Sequence, residues 1–309
     1  MIPLRSALSD YLSTRRSLGY KLRRTEKLLL QFIDYVEANC AYRIATDLAL
    51  SWARLPVGGD VSWWSSRLTV VRKFATFVNT LDPETEVPPS DLLPGRKSRR
   101  AVPFLYSDSD IAALVEAATM FTPRLRVLTC QTWVQLLAVT GMRVGEAIRL
   151  DRKDVDFDDG VLSIWMSKFG KSRELPLHAS TVDALRVYLQ ERDRLFPNPT
   201  SPSLFISSAG TRLLYCNVSW DFIRLVRQVG LRPRSPDCRP RIHDLRHTFA
   251  IRTIIDAYKT NANVGARLAS LSTYLGHVHP GHTYWYLSAA PELLSLAGLR
   301  LERSLRERS

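Results

Sequence analysis

Apolar residues in the first 80 positions recur with helical spacing. Leu29, Phe32, Ile33 and Val36 follow the i, i+3, i+4, i+7 pattern of one buried helical face. Trp64, Leu68, Val71, Ala75 and Val78 form another such stripe, and Thr46-Asp47 before Leu48 and Trp52 offers a helix start. The same logic resumes at Ser107-Asp108, a cap followed by Ile111, Leu114, Val115 and Ala118. A further helix is predicted from Leu125 to Val139, stopping at Thr140-Gly141. After Leu150 the pattern shortens to strand-like runs at Val155–Phe157, Val161–Trp165 and Arg173–Leu177. Turns at Asp158-Asp159-Gly160 and Lys168-Phe169-Gly170-Lys171 join them, which predicts a three-stranded antiparallel sheet. Helical patterning returns at Ser180 and continues to the end, with loops at Pro197–Pro202 and Arg232–Arg241.

Between these regions, prolines 83, 88, 89, 94 and 103 crowd beside Arg96-Lys97-Ser98-Arg99-Arg100. So many prolines forbid a continuous helix and favour an extended segment. The expected organisation is a helical domain over 1–81, a basic linker over 82–105 and a second, mainly helical domain over 106–309. A length of 309 residues suits two domains.

Hydrophobic residues make up 45% of the chain, enough for ordinary cores and too many for a wholly disordered protein. No apolar stretch reaches the roughly 20 residues that cross a bilayer. The start, Met1-Ile2-Pro3-Leu4-Arg5, lacks the apolar core of a signal peptide, so a cytoplasmic location is expected. Cys40, Cys130, Cys216 and Cys238 are scattered, with no C-x-x-C pair to suggest a metal or redox site.

Charge alters the picture more. Lys and Arg number 43 against 30 Asp and Glu, a formal +13. Divided at residue 105, the two parts carry +6 and +7, so the excess is no basic tail. Basic surfaces on both parts suit a polyanion gripped from two sides, nucleic acid being the default. Arg67, Arg72 and Lys73 beside one apolar stripe, and Arg96, Lys97, Arg99 and Arg100 in the linker, are the candidate contacts. The alternative for each is a solvated helix face or linker, and composition does not separate the two.

Three segments of the second part concentrate reactive side chains. In Thr140-Gly141-Met142-Arg143-Val144-Gly145-Glu146, Gly141 ends a helix and lets Arg143 project from the next one. Glu146 at i+3 can orient it, although an ordinary helix-start ion pair reads the same way. In His243-Asp244-Leu245-Arg246-His247, His243 and Arg246 share a helix face, where they can accept a proton and clamp a phosphate. In Leu275-Gly276-His277-Val278-His279-Pro280-Gly281-His282-Thr283-Tyr284-Trp285-Tyr286, a histidine is followed by tyrosines seven and nine positions later. Three histidines here invite a metal reading, but Pro280-Gly281 breaks their spacing and no carboxylate or cysteine lies nearby. No metal is therefore expected, and His279 and His282 read as loop residues.

Together these segments resemble the tyrosine recombinase, or phage integrase, family. Its pattern is T-G-x-R-x-x-E, a hairpin lysine, H-x-x-R, and L-G-H with a tyrosine nine residues after that histidine. Arg143 with Glu146, Lys168, His243 with Arg246, and His277 with Tyr286 match in order and spacing. Lys171 competes with Lys168 in the same turn, where Phe169 stands in place of the family's usual glycine; Tyr284 competes with Tyr286.

The resemblance implies a mainly α fold: a helical core-binding domain, then a mostly helical catalytic domain with a small antiparallel sheet, forming a C-shaped clamp on duplex DNA. It implies a site-specific recombinase that needs no cofactor, no metal and no ATP, and that assembles as a homo- or heterotetramer on two DNA sites. Tyr286 would attack the phosphodiester to leave a 3′-phosphotyrosyl bond. Arg143 and Arg246 would hold the phosphate, His243 would take the phenolic proton, Lys168 would protonate the 5′ oxygen, and His277 would add a hydrogen bond. Type IB topoisomerase activity, or a silent DNA-binding accessory role, are the competing readings. Mobile-element integration or excision and dimer resolution use the same core. The last helix, marked by Leu293, Leu294, Leu296, Leu299 and Leu301, would pack either on its own domain or on a neighbouring protomer.

Overall fold

The structure is a computed structural model that describes residues 2–55, 58–93, 101–165, 172–260, 262–277, 279, 281–289 and 291–306. The chain divides into two compact units, Met1–Arg100 and Ala101–Ser309. The first holds α1 (Leu4–Ser17), α2 (Arg23–Ala38), α3 (Thr46–Arg54) and α4 (Val61–Asn79). Leu29, Phe32, Ile33 and Val36 of α2 are fully buried against Val71, Phe74 and Ala75 of α4, with Trp52 of α3 packed edge-on to Phe32.

The second unit runs α5 (Asp108–Ala117), α6 (Arg124–Thr140), α7 (Val144–Arg149), β1 (Val155–Asp156), β2 (Val161–Ile164), β3 (Arg173–Pro176) and α8 (Ala179–Leu195). It continues with α9 (Tyr215–Val229), α10 (Asp244–Lys259), α11 (Val264–Leu275), α12 (Gly281–Ala289) and α13 (Pro291–Arg306). Ser107 caps α5 in a reciprocal box with Asp110. Helix α6 is buried on most sides, through Leu125, Val127, Cys130, Trp133, Val134, Leu136 and Leu137, as befits a central helix with little amphipathicity. It ends at Gly141, whose φ of +59° suits a residue without a side chain.

The strands pair antiparallel in the order β1-β2-β3, with Leu162 opposite Leu175 and Ile164 opposite Arg173. Leu162, Ile164 and Leu175 are buried, so Arg173 shares the inward face. The mainly helical architecture with one small antiparallel sheet is the one expected from the sequence pattern.

The proline-rich stretch 82–105 is packed at both ends. Glu86 donates its backbone N–H to the Ile44 carbonyl, and its carboxylate accepts from the Thr46 N–H; Leu93 is buried in the first unit. Phe104 and Tyr106 belong to the core of the second, where the Tyr106 hydroxyl donates to the Arg241 carbonyl. Arg96, Lys97, Arg99 and Arg100 lie outside the described residues. A smaller core joins Ala250, Ile251 and Ile254 of α10 to Leu268, Leu271 and Leu275 of α11, Tyr286 of α12 and Leu293 of α13. Helix α13 thus lies on its own unit, where Arg300 also donates to the Ala262 carbonyl. Among the described residues no helix is long and apolar enough to cross a membrane.

Candidate active site

Two arginines and two backbone turns form the frame of the site. Arg143 occupies the N-cap of α7, directly after the left-handed turn at Gly141. Its backbone N–H and its Nη1 both donate to the Glu146 carboxylate, at 2.8 and 2.7 Å, and its Nη2 donates to the Gly276 carbonyl at 3.2 Å. Arg246, on the first turn of α10, is 2% exposed. It donates from Nη1 to the Gly141 carbonyl at 2.9 Å and from Nη2 to the Leu275 carbonyl at 2.6 Å. Each arginine is therefore fixed by a carbonyl at the end of a helix remote in sequence, α6 or α11. The carbonyls left open by those helix ends supply the acceptors.

Glu146 is the buried counterion. Its side chain is 1% exposed and also accepts two hydrogen bonds from Arg173 of β3, at 3.2 and 2.8 Å. Burial alone would raise its pKa. The Arg173 hydrogen bonds and charge, then the Arg143 N–H and charge, overcome that and hold it at about 2. Burial and the neighbouring Arg143 charge push Arg246 down to about 10, which leaves it cationic at neutral pH.

Three imidazoles complete the group. His277 Nε2 lies 3.1 Å from Arg246 Nη2, and its Nδ1 lies 2.7 Å from Thr283 Oγ1. Arginine can only donate, so His277 accepts at Nε2 and carries its proton on Nδ1. His243 precedes α10 and remains open to solvent. Crowding by the surrounding protein, then the charges of Arg246, Arg143 and Arg241, push its pKa down to about 4. Solvent tempers the first contribution, but all three guanidiniums act in the same direction, and the imidazole is neutral at pH 7.

His247 follows one helical turn later, its ring edge-on to His243 at 4.8 Å. Its Nδ1 lies 3.2 Å from the Tyr286 hydroxyl. Tyr286 itself is 2% exposed and stacks beside His277 at 6.2 Å, whereas Tyr284 is 55% exposed.

The structure thus brings together Arg143, Glu146, His243, Arg246, His277 and Tyr286 from three separated segments. Lys168 and Lys171 lie outside the described residues. His282 falls in the first turn of α12, where a loop was expected. Among the described residues no three His, Cys, Asp or Glu side chains converge to hold a metal ion.

Two participants escape the sequence reading. Arg173 could have been found from strand parity, because it stands two residues before the inward Leu175. His247 could have been found from its i+4 relation to His243, which puts both rings on one helix face.

The candidate DNA contacts of the first unit separate. Lys73 is exposed, and Arg72 is half-buried, donating to Thr69 and to the Pro89 carbonyl. Arg67 is not on the surface, contrary to expectation. It is 7% exposed, its guanidinium 3.7 Å above the Trp52 ring and donating to the Trp52 carbonyl. Its charge is stabilised by the indole face and serves the core.

Two guanidiniums grouped with imidazoles beside a buried phenol have the chemistry to bind an anion and to stabilise phosphoryl transfer. The model of the phage integrase family matches residues 107–292, which span every one of these side chains. A putative integrase/recombinase, y4rB, from Sinorhizobium fredii is 44% identical over the whole of both chains. The tyrosine recombinase XerD of Ralstonia nicotianae is 30% identical over 67% of this chain and 62% of its own.

Among solved structures, the Tn1549 transposon integrase in complex with a circular intermediate DNA superposes with a TM-score of 0.67. That match has 15% identity and covers 98% of this chain and 99% of the other. The XerH site-specific recombinase bound to its palindromic difH substrate gives 0.62 at 19% identity, covering 89% and 78%. The chain belongs to the phage integrase family and is a site-specific DNA recombinase of the tyrosine type.

Proposed function

We propose that Tyr286 is the nucleophile of this recombinase and that Arg143 and Arg246 clamp the scissile phosphate of a duplex. What carries this reading is the contact chain Arg143–Gly276, Arg246–His277 and Tyr286–His247, which joins the three segments around one phenol. A phenol with a pKa near 10 is a poor nucleophile at neutral pH and must lose its proton as it attacks. Attack places negative charge on the phosphoryl oxygens. Two planar guanidiniums, already fixed by carbonyls and Glu146, meet that charge without reorganising.

The Oη–P bond forms as the P–O5′ bond breaks, leaving a 3′-phosphotyrosyl link and a 5′ oxygen that Lys168 protonates. His277, with its proton held on Nδ1 by Thr283, keeps Arg246 aligned. A 5′ hydroxyl from a second duplex reverses the step, so strands exchange without ATP. Exchange between two sites calls for four protomers, of this chain or of this chain and a partner.

The test is covalent trapping on a nicked duplex whose site has been selected by this protein from a randomised pool. Tyr286→Phe should form no adduct while retaining DNA affinity, and Tyr284→Phe should react normally. An adduct in the Tyr286→Phe protein would refute the assignment.

A further inference from the structure

The phenolic proton needs an acceptor within hydrogen-bond reach. Arg143 and Arg246 cannot accept it. His277 already receives a hydrogen bond from Arg246 at Nε2 and gives its Nδ1 proton to Thr283. His243, to which the sequence pattern assigns this task, touches the edge of the His247 ring, and His247 stands next to the phenol.

His247 meets Tyr286 in two ways: Nδ1 lies 3.2 Å from Oη, and the ring centroids are 5.4 Å apart. It is half-buried, whereas the phenol is shut away from water. Trp285 covers it from a further side, its ring centroid 5.4 Å away. The start of helix α10 therefore holds two imidazoles one turn apart, His243 at its N-cap facing solvent and His247 on its first turns facing the tyrosine.

We propose that His247 is a catalytic residue, the group that takes the proton of Tyr286 during cleavage. This rests on the reading of Tyr286 as nucleophile. The Oη–H proton passes to His247 Nδ1 while the Oη electron pair forms the bond to phosphorus. The P–O5′ bond breaks and the departing oxygen takes its proton from Lys168. When a 5′ hydroxyl rejoins the strand, that hydroxyl returns a proton to Lys168, and Oη leaves phosphorus and recovers its own from His247. No oxidant, metal or further reactant enters the balance. His243 is then a phosphate-side group, kept neutral by the arginines around it.

The experiment uses the full chain and the nicked duplex described above. His247→Ala and His247→Gln should each slow adduct formation by about 10²-fold or more, the scale of general base catalysis, with DNA affinity unchanged. Replacing Tyr286 by 3,5-difluorotyrosine, a phenol that ionises near neutral pH, should restore most of the rate in both variants and little in His243→Ala. A His247→Gln protein within about threefold of the parent would reduce His247 to a hydrogen-bonding prop and overturn the proposal. Failure of the fluorinated tyrosine to restore either variant would overturn it as well. If His247→Ala does not fold, His247→Gln, close in volume, decides alone. Tyr286→Phe run in parallel separates the two readings. An adduct there removes the nucleophile assignment, whereas its absence beside normal His247 variants removes only this one.

Discussion

Replacing Glu146 by glutamine should destabilise the protein by about 3 kcal/mol at neutral pH, and the structure supplies two routes to that figure. The carboxylate is 1% exposed and accepts hydrogen bonds from the Arg143 N–H, Arg143 Nη1 and two nitrogens of Arg173. Its pKa is held at about 2 against an ordinary 4.5. At 1.36 kcal/mol per unit this corresponds to about 3 kcal/mol favouring the ionised form in the folded state. Removing one partner of a buried ion pair independently costs about 3–5 kcal/mol, because the remaining charge keeps no counterion.

The sign sets the pH dependence. A depressed carboxylate pKa stabilises the fold fully above about pH 4.5, and that stabilisation is lost as pH falls toward 2. Urea unfolding of parent and Glu146→Gln, followed by tryptophan fluorescence, should show the full gap at pH 7. The gap should narrow as the buffer is taken from pH 4.5 toward pH 2. A difference below about 0.5 kcal/mol at pH 7, or one that does not narrow in acid, would refute the account of Glu146 as counterion.

Three further outcomes are expected, the first two from the described geometry and the third from the proposed role of Lys168. Arg246→Lys retains the charge but loses the fork that reaches Gly141, Leu275 and His277 together, so adduct formation should fall by about 10²–10³-fold, measured by trapping on the nicked duplex. Gly141→Ala places a Cβ against the Phe249 ring at a φ of +59°; the left-handed backbone alone should cost about 1–2 kcal/mol, read as a lower thermal midpoint. Lys168→Ala should slow cleavage of an ordinary phosphodiester yet react at near-parental rate when a bridging sulfur replaces the 5′ oxygen, because that leaving group needs no proton.

The parts of the fold legible in the chain were those set by local pattern. The Ser107 cap, the helix ending at Gly141 and the alternation of Leu162, Ile164 and Leu175 depend on residues within a few positions of one another. Arg67 misled because a cation on a helix reads as surface, and only tertiary packing against Trp52 makes its burial tolerable. Glu146 was legible as the i+3 partner of Arg143. Its second partner was not, since Arg173 reaches it only after β3 is set beside α11, where Arg173 also donates to the Tyr274 carbonyl. His247 was hidden by its neighbours: beside an H-x-x-R motif, a further histidine carries no spacing of its own. The motif points to His243 as proton acceptor, and a motif records order along the chain without recording which rings the fold brings to the phenol.

The distribution of charge explains why such a site would bind its target strongly before any chemistry. Arg246 is buried, and Arg143 lies close enough to oppose its charge, so its pKa falls to about 10. Glu146 offsets part of this, but its carboxylate is shared between Arg143 and Arg173, three cations with one anion once Arg246 is counted. The surrounding carbonyls of Gly141, Leu275 and Gly276 hold the guanidiniums in place without cancelling their charge. A phosphodiester set between them supplies a missing negative charge, and a phosphorane-like transition state supplies more. In the proposed function binding would therefore be favourable and attack more so, the condition under which fixed charge raises rate rather than affinity alone. The same phosphate charge would relieve the depression of His243, whereas His247 lies in hydrogen-bond reach of the phenol. Under the proposal, two histidines one turn apart would differ in role, one answering to the phosphate and the other to the tyrosine.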